Sequence, residues 1–99
     1  MAKYCIEVTE DAKDDLYQYS ASERKIISDE VRVQLGDQPL FETKNRKKLW
    51  ENPLAPWELR VGKYRIFYQV DEASHRVTIM AIGHKEHNTL LIRGKEVKI

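Results

Sequence analysis

Two arginines face each other across a β-hairpin that the sequence predicts at residues 58–70, ELRVGKYRIFYQV. Apolar and polar residues alternate here as in two paired strands, and Gly62 suits the first central position of a type II′ turn. This turn places Arg60 directly opposite Arg65 on one side of the sheet. Like charges in that position repel, so the pattern predicts a site where the two guanidinium groups hold an anion.

Other side chains near this turn favour chemistry on a phosphate. Lys63 lies in the turn itself, and His84 and Lys85 end the next predicted strand. Paired guanidinium groups match phosphate oxygens, and an imidazole exchanges a proton close to neutral pH. Phe67 alternates onto the arginine side, which predicts that it stacks on a nucleic-acid base. In the alternative interpretation, Glu58 on the same side neutralises the arginines and the group is structural.

The middle of the chain carries the positive charge. The formal net charge is +1 overall, but residues 1–43 carry a net charge of −5 and residues 44–65 a net charge of +5. A local positive field attracts a polyanion even when the whole protein is nearly neutral. This segment predicts a nucleic-acid contact surface, although a well-solvated surface explains the same charges. Its members outside the hairpin are Lys44, Arg46, Lys47 and Lys48.

Length and composition limit the class of protein. With 99 residues, of which 41% are hydrophobic and 33% charged, the chain is long enough for one domain, residues 1–99, with a single core. Cys5 is the only cysteine, which excludes an internal disulfide, and we expect it to be buried in a strand. The first residues lack the apolar segment of a signal peptide, which predicts a cytoplasmic protein.

Several enzyme classes lack support in the sequence. There is no P-loop, no glycine-rich dinucleotide turn and no G-x-S-x-G elbow. The segment HKEH brings His84, Glu86 and His87 together, but these residues are too few for a complete metal site. The sequence therefore predicts neither a metal nor a cofactor.

The first part of the chain predicts a strand and two helices. Residues 4–8 alternate as a short strand, and Thr9 is a suitable N-cap for a helix that ends near Tyr19. The segment SASE, residues 20–23, has the spacing of a capping box. Apolar residues then recur every four positions until Gly36 ends the second helix. These two helices form a hairpin.

The remainder of the chain predicts an antiparallel sheet. Residues 37–56 contain three prolines and predict an ordered connection with one helical turn around its basic residues. Strands follow at residues 57–61, 64–70 and 76–83, with a last short strand within residues 90–94. The order predicts an α+β fold with the helices on one face of a meander. That face carries Leu59, Val61, Tyr64, Ile66, Tyr68 and Val70, and we expect the opposite face to be open.

The segments NPLAPWELRVGKYRIFYQVDE, residues 52–72, and VTIMAIGHK, residues 77–85, resemble the RelE/ParE superfamily. Its members are the toxins of bacterial type II toxin–antitoxin systems. The pattern L-R-x-G-x-Y-R-x-x-Y, followed by a hydrophobic strand that ends in glycine and basic residues, carries the resemblance. It is formed by Leu59, Arg60, Gly62, Tyr64, Arg65 and Tyr68. The resemblance extends over essentially the whole chain, is closest to the RelE-like mRNA interferases, and implies a RelE-like toxin domain.

The resemblance also implies roles for particular residues. Arg65 matches the arginine with which RelE-type nucleases steady the scissile phosphate, and Arg60 matches a basic position on the preceding strand. His84 and Lys85 fall where the family places basic or histidine catalytic groups. Glu58 stands where RelE has a lysine, and with His84 it resembles the Glu/His pair of related toxins.

These roles imply a ribosome-dependent endoribonuclease that cuts mRNA and inhibits translation. Arg60 and Arg65 would hold the phosphate, and His84 would be the acid or base. The residues that would contact RNA are Lys63, Lys85 and the basic residues Lys44, Arg46, Lys47 and Lys48. The alternatives are a ParE-like protein that inhibits DNA gyrase without chemistry of its own, and a RelE-fold protein that only binds its antitoxin. The implied partners are a cognate antitoxin with acidic groups over the arginines, the ribosome and mRNA, or gyrase in the alternative, and no membrane.

Overall fold

The computed structural model describes residues 3–37, 39–49, 55–93 and 95–97. The elements in chain order are β1 (Cys5–Val8), α1 (Glu10–Leu16), α2 (Ala21–Leu35), β2 (Arg46–Lys48), β3 (Trp57–Val61), β4 (Tyr64–Asp71), β5 (Arg76–Glu86), β6 (Thr89–Ile92) and β7 (Lys95–Val97). Neither described helix is long and apolar enough to cross a membrane.

Both helices begin at the capping residues that the sequence predicts. The Thr9 hydroxyl accepts a backbone N–H from the first turn of α1 at 3.1 Å. Ser20 and Glu23 form the reciprocal capping box of α2, in which each side chain accepts the backbone N–H of the other residue. Helix α1 ends at Leu16, earlier than predicted, because the chain tightens there and the Tyr19 N–H donates to the Leu16 carbonyl at 3.1 Å.

The strands form one sheet in the order β2-β3-β4-β5-β6-β7, with antiparallel neighbours. Strand β1 lies parallel to β5, on the edge that β6 also uses further along. The β3–β4 register places Arg60 opposite Arg65, as predicted. Gly62 has a φ of +57°, which glycine adopts without strain and which a type II′ turn requires at this position.

The two helices cover one face of the sheet and form the main core with it. They contribute the buried side chains of Ala12, Ile27, Val31 and Leu35. The residues predicted for this face of β3 and β4 all belong to the core or pack against it, namely Leu59, Val61, Tyr64, Ile66, Tyr68 and Val70. The predicted α+β architecture, with a helical hairpin on one face of an antiparallel meander, is confirmed.

The opposite face of the sheet is closed by a second apolar cluster. Its buried members are Ala55, Phe67, Ala81, Leu90 and Ile92. Gly83 permits the close approach of β6, since a Cβ at this position would collide with the carbonyl oxygen of Leu91. The prediction of an open face is wrong here, because side chains from β6 join those of β4 and β5 and bury Phe67 completely.

Two local predictions differ from the structure, and two short strands were not predicted. The basic part of the connection at residues 37–56 forms strand β2 instead of a helical turn, whereas residues 50–54 lie outside the described residues. Strands β2 and β7 have three residues each, too few for an alternating pattern to reveal them. Cys5 lies in β1 but is exposed, because Ile6 and Val8 take the inward positions of that strand.

A buried carboxylate closes the gap between β1 and β6 on their shared edge of β5. Strand β1 pairs with β5 as far as Ile79, and the pairing with β6 starts at His84. Between them, the Thr9 N–H donates to the Ile79 carbonyl at 3.1 Å, and the Ile82 N–H donates to Asp15 at 3.0 Å. Helix α1 and its cap therefore satisfy backbone groups that a continuous neighbouring strand would otherwise satisfy.

Asp15 also holds the turn between β6 and β7. Its Oδ1 lies 2.6 Å from Arg93 Nε, and Asp15 is only 1% exposed. Burial raises the pKa of Asp15, while the hydrogen bond from Ile82 and the charge of Arg93 act in the opposite direction. Arg93 has a φ of +53°, which is uncommon for a residue with a side chain. The ion pair therefore stabilises a turn that is unfavourable on its own.

Asp15→Ala should lower the free energy of unfolding by about 1–3 kcal/mol, because it leaves the buried Ile82 N–H without its acceptor and frees Arg93. The matched control is Asp14→Ala, which removes an exposed carboxylate one residue away and should change stability by less than about 0.5 kcal/mol. Urea denaturation followed by circular dichroism measures both variants. Equal stability of the two would show that Asp15 does not hold this edge.

Candidate functional site

The predicted arginine pair is present, but its charges are already balanced by the carboxylate of Glu58, which lies on the same strand as Arg60. Glu58 Oε1 lies 2.8 Å from Arg60 Nε and 3.8 Å from Arg65 Nε. Glu58 is only 3% exposed, because it lies opposite Phe67 on the side of the sheet closed by the second apolar cluster. These contacts are those expected if Glu58 neutralises the two arginines.

Arg65 is bound to the hairpin that carries it. Its Nη1 donates to the carbonyls of Gly62 at 2.7 Å and Tyr64 at 2.9 Å. Burial lowers the pKa of Arg65 below its ordinary value, an effect that the nearby Glu58 opposes. The Arg65 side chain is 14% exposed and that of Arg60 is 40% exposed. Arg65 therefore braces the turn, and Arg60 has the better access to solvent.

Lys85 is a third cation on the side of the sheet that carries Arg60 and Arg65, here named the arginine face. Arg65 lies opposite Gly83 in the β4–β5 ladder, and Lys85 points to the same side two residues further along β5. Its backbone N–H donates to the Lys63 carbonyl at 2.8 Å, which places it beside the hairpin turn. Its side chain forms no hydrogen bond or ion pair with another described residue.

His84 lies on the opposite side of the sheet from the arginine pair. It is the ladder partner of Tyr64, whose side chain faces the helices. Its Nδ1 lies 2.8 Å from the Tyr19 hydroxyl oxygen, and its Nε2 lies 3.7 Å from Glu86. The structure thus separates His84 from the arginines, contrary to the predicted pocket. It equally separates His84 from Glu58, contrary to the Glu/His pair that the resemblance implies.

A β-bulge accounts for the position of His84. Strict alternation from the inward-facing Val77 and Ile79 would place His84 outward, on the side of the arginines. The β4–β5 register shifts between Phe67 and Tyr68, so that Ile82 joins Val77 and Ile79 in the main core. This shift reverses the alternation in the second half of β5. His84 follows Ile82 onto the helix side.

A polar cluster on the helix side links the sheet to the helical hairpin. The Tyr64 hydroxyl donates to Glu23 at 2.5 Å, and Lys63 Nζ lies 4.0 Å from the same carboxylate. This hydrogen bond, with further ones from Ser20, lowers the pKa of Glu23 to about 2. The same bond, together with burial, raises the pKa of Tyr64 to about 12. Tyr19 packs edge-on against the rings of Tyr64 and His84, and burial raises its pKa to about 12. In the sequence Glu23 is only a capping residue, and no pattern indicates its contact with a distant tyrosine.

The predicted nucleic-acid contacts divide into exposed and buried residues. Arg46 is half-buried, and its Nη1 donates to the Gln34 carbonyl of α2 at 2.7 Å. Phe67 is 0% exposed, so the prediction that it stacks on a base is wrong. The exposed cations are Lys44, Lys47 and Lys48 on or beside β2, and Lys63 in the β3–β4 turn.

The HKEH segment forms the end of β5 and part of the turn into β6. His87 and Asn88 have φ values of +51° and +67°, as both central residues of a type I′ turn require. Within the described ranges, no group of three or more histidine, cysteine, aspartate or glutamate side chains is placed to hold a metal ion.

Most of the sequence matches a known protein family. Residues 6–89 match the family described as the ParE toxin of the type II toxin–antitoxin system parDE. The chain belongs to this ParE toxin family. The match begins in β1 and ends in β6, and it confirms the resemblance to the RelE/ParE superfamily. Among curated proteins, none matches this ParE-family chain by sequence.

Two solved toxin–antitoxin complexes contain chains of similar fold. A chain of the RelBE2 complex from Mycobacterium tuberculosis is 24% identical with a TM-score of 0.70, and the alignment covers 84% of this chain and 99% of that chain. A chain of the archaeal RelE–RelB complex from Pyrococcus horikoshii OT3 is 15% identical with a TM-score of 0.67, and the alignment covers 88% and 99%. The ParE-family chain therefore has a RelE-like fold.

Arg65→Ala should lower the free energy of unfolding of this ParE-family chain by about 1–3 kcal/mol, because two carbonyls lose a charged donor and the buried Glu58 loses a nearby positive charge. Repulsion between like charges alone would give the opposite sign. Lys44→Ala, which removes an exposed cation outside the hairpin, serves as the control and should have an effect below about 0.5 kcal/mol. Thermal melting compares them, and an unchanged melting temperature in Arg65→Ala would contradict the bracing role.

Glu23 should make the free energy of unfolding depend on pH in the acidic range. A carboxyl with a lowered pKa in the folded state stabilises it above the unfolded pKa, and this contribution is lost as pH falls from about 4.5 towards 2. Glu23→Gln and Tyr64→Phe should therefore lose less stability than the wild type across this range, measured by urea denaturation. The control Glu42→Gln, at an exposed position, should follow the wild-type curve. Parallel curves for all four proteins would rule out this role.

Proposed function

We propose that this ParE-family chain is a toxin that stops growth by binding its target and does not cut RNA. Membership of the family supports its assignment as the toxin of a type II toxin–antitoxin pair. The mode of action is supported by one observation above all. The sheet separates His84 from the arginine pair, so that the acid or base and the phosphate-holding groups of the predicted nuclease lie on opposite faces.

RNA cleavage by side chains needs a base and an acid within hydrogen-bond reach of one phosphate. On the arginine face, the carboxylate of Glu58 is buried and bound to Arg60 at 2.8 Å. On the other face, His84 is bound to Tyr19 at 2.8 Å. Glu58 and His84, the two candidate proton-transfer groups, therefore do not approach a common phosphate, and this arrangement favours binding over cleavage.

The resemblance to ParE implies DNA gyrase as the target, because ParE members poison this enzyme. The exposed basic residues fit a target that is itself bound to DNA, since a positive surface is attracted to the phosphate backbone. These residues extend from the edge strand β2 to the β3–β4 turn. They are Lys44, Lys47, Lys48 and Lys63.

The proposed partner is a cognate antitoxin. The two solved structures described above are complexes of toxins with antitoxins. In this chain a groove runs between β1 and α2, and Val33 at one end of it is 72% exposed. Apolar and charged side chains line this end, namely Tyr4, Ile6 and Val33 with Lys3, Arg32 and Asp37. An amphipathic antitoxin segment would bury such a groove. Acidic groups on the antitoxin would be placed against the exposed part of Arg60.

Ribosome-dependent mRNA cleavage is the second candidate, and the position of Lys85 favours it. Lys85 and Arg60 lie on the same face beside the hairpin turn, and two cations on one phosphate stabilise the charge that develops there during cleavage. Because His84 lies on the other face, the proton-transfer groups would then come from the ribosome or the mRNA.

Induced expression without the antitoxin distinguishes the two candidates. We expect DNA synthesis to fall first, with an SOS response, while protein synthesis continues, as measured by pulse labelling with thymidine and methionine. The purified chain should inhibit supercoiling by gyrase and leave ribosome-bound mRNA intact. Co-expression of the adjacent reading frame, as the source of the antitoxin, should restore growth.

Early arrest of protein synthesis with cleaved mRNA would replace the proposal with the second candidate. In that case Arg60→Gln should reduce cleavage by about 10²-fold, the loss typical of one donor to a developing charge. Normal growth on induction would instead identify a RelE-fold protein that only binds its antitoxin.

A further inference from the structure

We propose that a cavity between the helical hairpin and the sheet binds the anion of a medium-chain fatty acid, with its apolar tail against β5 and its carboxylate on Ser28 and Arg32 of α2. This site, here named the helix–sheet cavity, lies apart from the basic residues of β2 and the β3–β4 turn. The inference goes beyond the proposed function and does not depend on the target of the toxin.

The helix–sheet cavity has a volume of about 200 Å³ and lies between the helices α1 and α2 and the strands β1 and β5. Its walls include the almost fully buried side chains of Ile27, Ile79 and Ile82. Ile6 and Leu16 also line it but are only partly buried, so the cavity is accessible from solvent. Concave sites with mostly apolar walls and a few polar groups are typical of small-molecule binding.

The volume sets the size of the apolar part of the ligand. An apolar cavity of about 150 Å³ is sufficient to bind benzene. By proportion, a cavity of about 200 Å³ accommodates a tail of about eight carbons. Even the largest aliphatic side chain of a partner protein has fewer carbons than benzene. The cavity therefore fits a free hydrocarbon tail better than one such side chain.

Two polar side chains determine the chemistry of the head group. Among the described residues that line the cavity, only Ser28 and Arg32 have polar side chains. They lie one helical turn apart on α2, so both are on the same face of the helix. Ser28 is half-buried, and its hydroxyl forms no hydrogen bond with another described residue. This hydroxyl can therefore donate to a ligand.

Arg32 supplies a positive charge that its neighbours hold only weakly. Its Nη2 lies 3.7 Å from Asp29 Oδ1, which is too long for a hydrogen bond, and its side chain is largely exposed. Asp29 Oδ2 lies 3.1 Å from Lys25 Nζ, so Asp29 keeps a partner when Arg32 binds another anion. One carboxylate can accept from the Ser28 hydroxyl and from the Arg32 guanidinium with its two oxygens. The pair therefore favours a carboxylate over a neutral head group.

The first test uses octanoate as the probe and NMR of isotope-labelled isoleucine methyl groups in the purified chain. Octanoate should shift the signals of Ile27, Ile79 and Ile82, which line the cavity. Two internal controls should not shift, namely Ile26 on the exposed side of α2 and Ile92 in the second apolar cluster. Unchanged signals of the cavity residues, or equal shifts of all five, would overturn the proposal.

The length of the tail provides a second test. Hexanoate should bind more weakly than octanoate, by about fourfold for each methylene removed, because each buries less hydrocarbon. Dodecanoate should bind no more tightly than octanoate, since the cavity accommodates only about eight carbons. An affinity that keeps rising up to dodecanoate would indicate adsorption on an exposed apolar surface and would contradict a cavity of fixed size.

Variants of α2 test the head group. Arg32→Gln should weaken octanoate binding about tenfold, the loss expected for a charge-assisted hydrogen bond, and Ser28→Ala about fivefold. The matched control Lys13→Gln removes an exposed cation of α1 outside the cavity and should change the affinity less than about twofold. Octanol should bind equally to the wild type and to Arg32→Gln. Equal losses of octanoate affinity in Arg32→Gln and Lys13→Gln would exclude the proposed head-group site.

Other occupants of the cavity would give different NMR results. If an antitoxin segment filled it, the cavity methyl signals would shift on addition of purified antitoxin but not of octanoate. If a second copy of this chain filled it, they would shift with protein concentration alone. Either result would overturn the proposal. Because none of these measurements involves gyrase or the ribosome, their failure is distinguishable from failure of the growth experiment.

Discussion

The contact between the Glu58 carboxylate and two opposed arginines determines the character of one whole face of this protein. The type II′ turn at Gly62 fixes the register, and the register brings Arg60 and Arg65 together. Their repulsion would weaken the hairpin without a counter-charge. Glu58 supplies that charge from within the same strand, and the second apolar cluster keeps it out of water. Turn, strand pairing and burial therefore support one another.

The two faces of the hairpin carry different polar groups, although these groups belong to the consecutive residues Tyr64 and Arg65. Arg65 binds the turn on one side, while Tyr64 reaches across to Glu23 of α2 on the other. Because neighbouring side chains of a strand point to opposite faces, the sheet itself keeps the arginines and His84 apart. A reaction that needs both the arginines and His84 would require a substrate that reaches around the edge of the sheet. This geometry disfavours such a reaction.

Sequence reasoning succeeded where a local pattern determines the structure. The capping residues, the hairpin register and the core face of β3 and β4 follow from spacing and alternation within short segments. It failed where contacts between strands distant in sequence determine the position of a side chain. Phe67 is buried by side chains of β6, a contact that no local pattern encodes. His84 lies on the helix side because β5 has a bulge opposite Phe67 and Tyr68. A prediction that assumes strict alternation along the strand does not include such a bulge.

The parallel pairing of β1 with β5 has a consequence for how the chain acquires its form during synthesis. Cys5 pairs with Arg76, so β1 finds its neighbour only after the helices and the strands β2 to β4 have been synthesised. The meander from β3 to β5 joins segments close in sequence, and its pairing costs less chain entropy. Until β5 emerges, Ile6 and Val8 have no core to enter. The main core is therefore complete only after β5 has been synthesised.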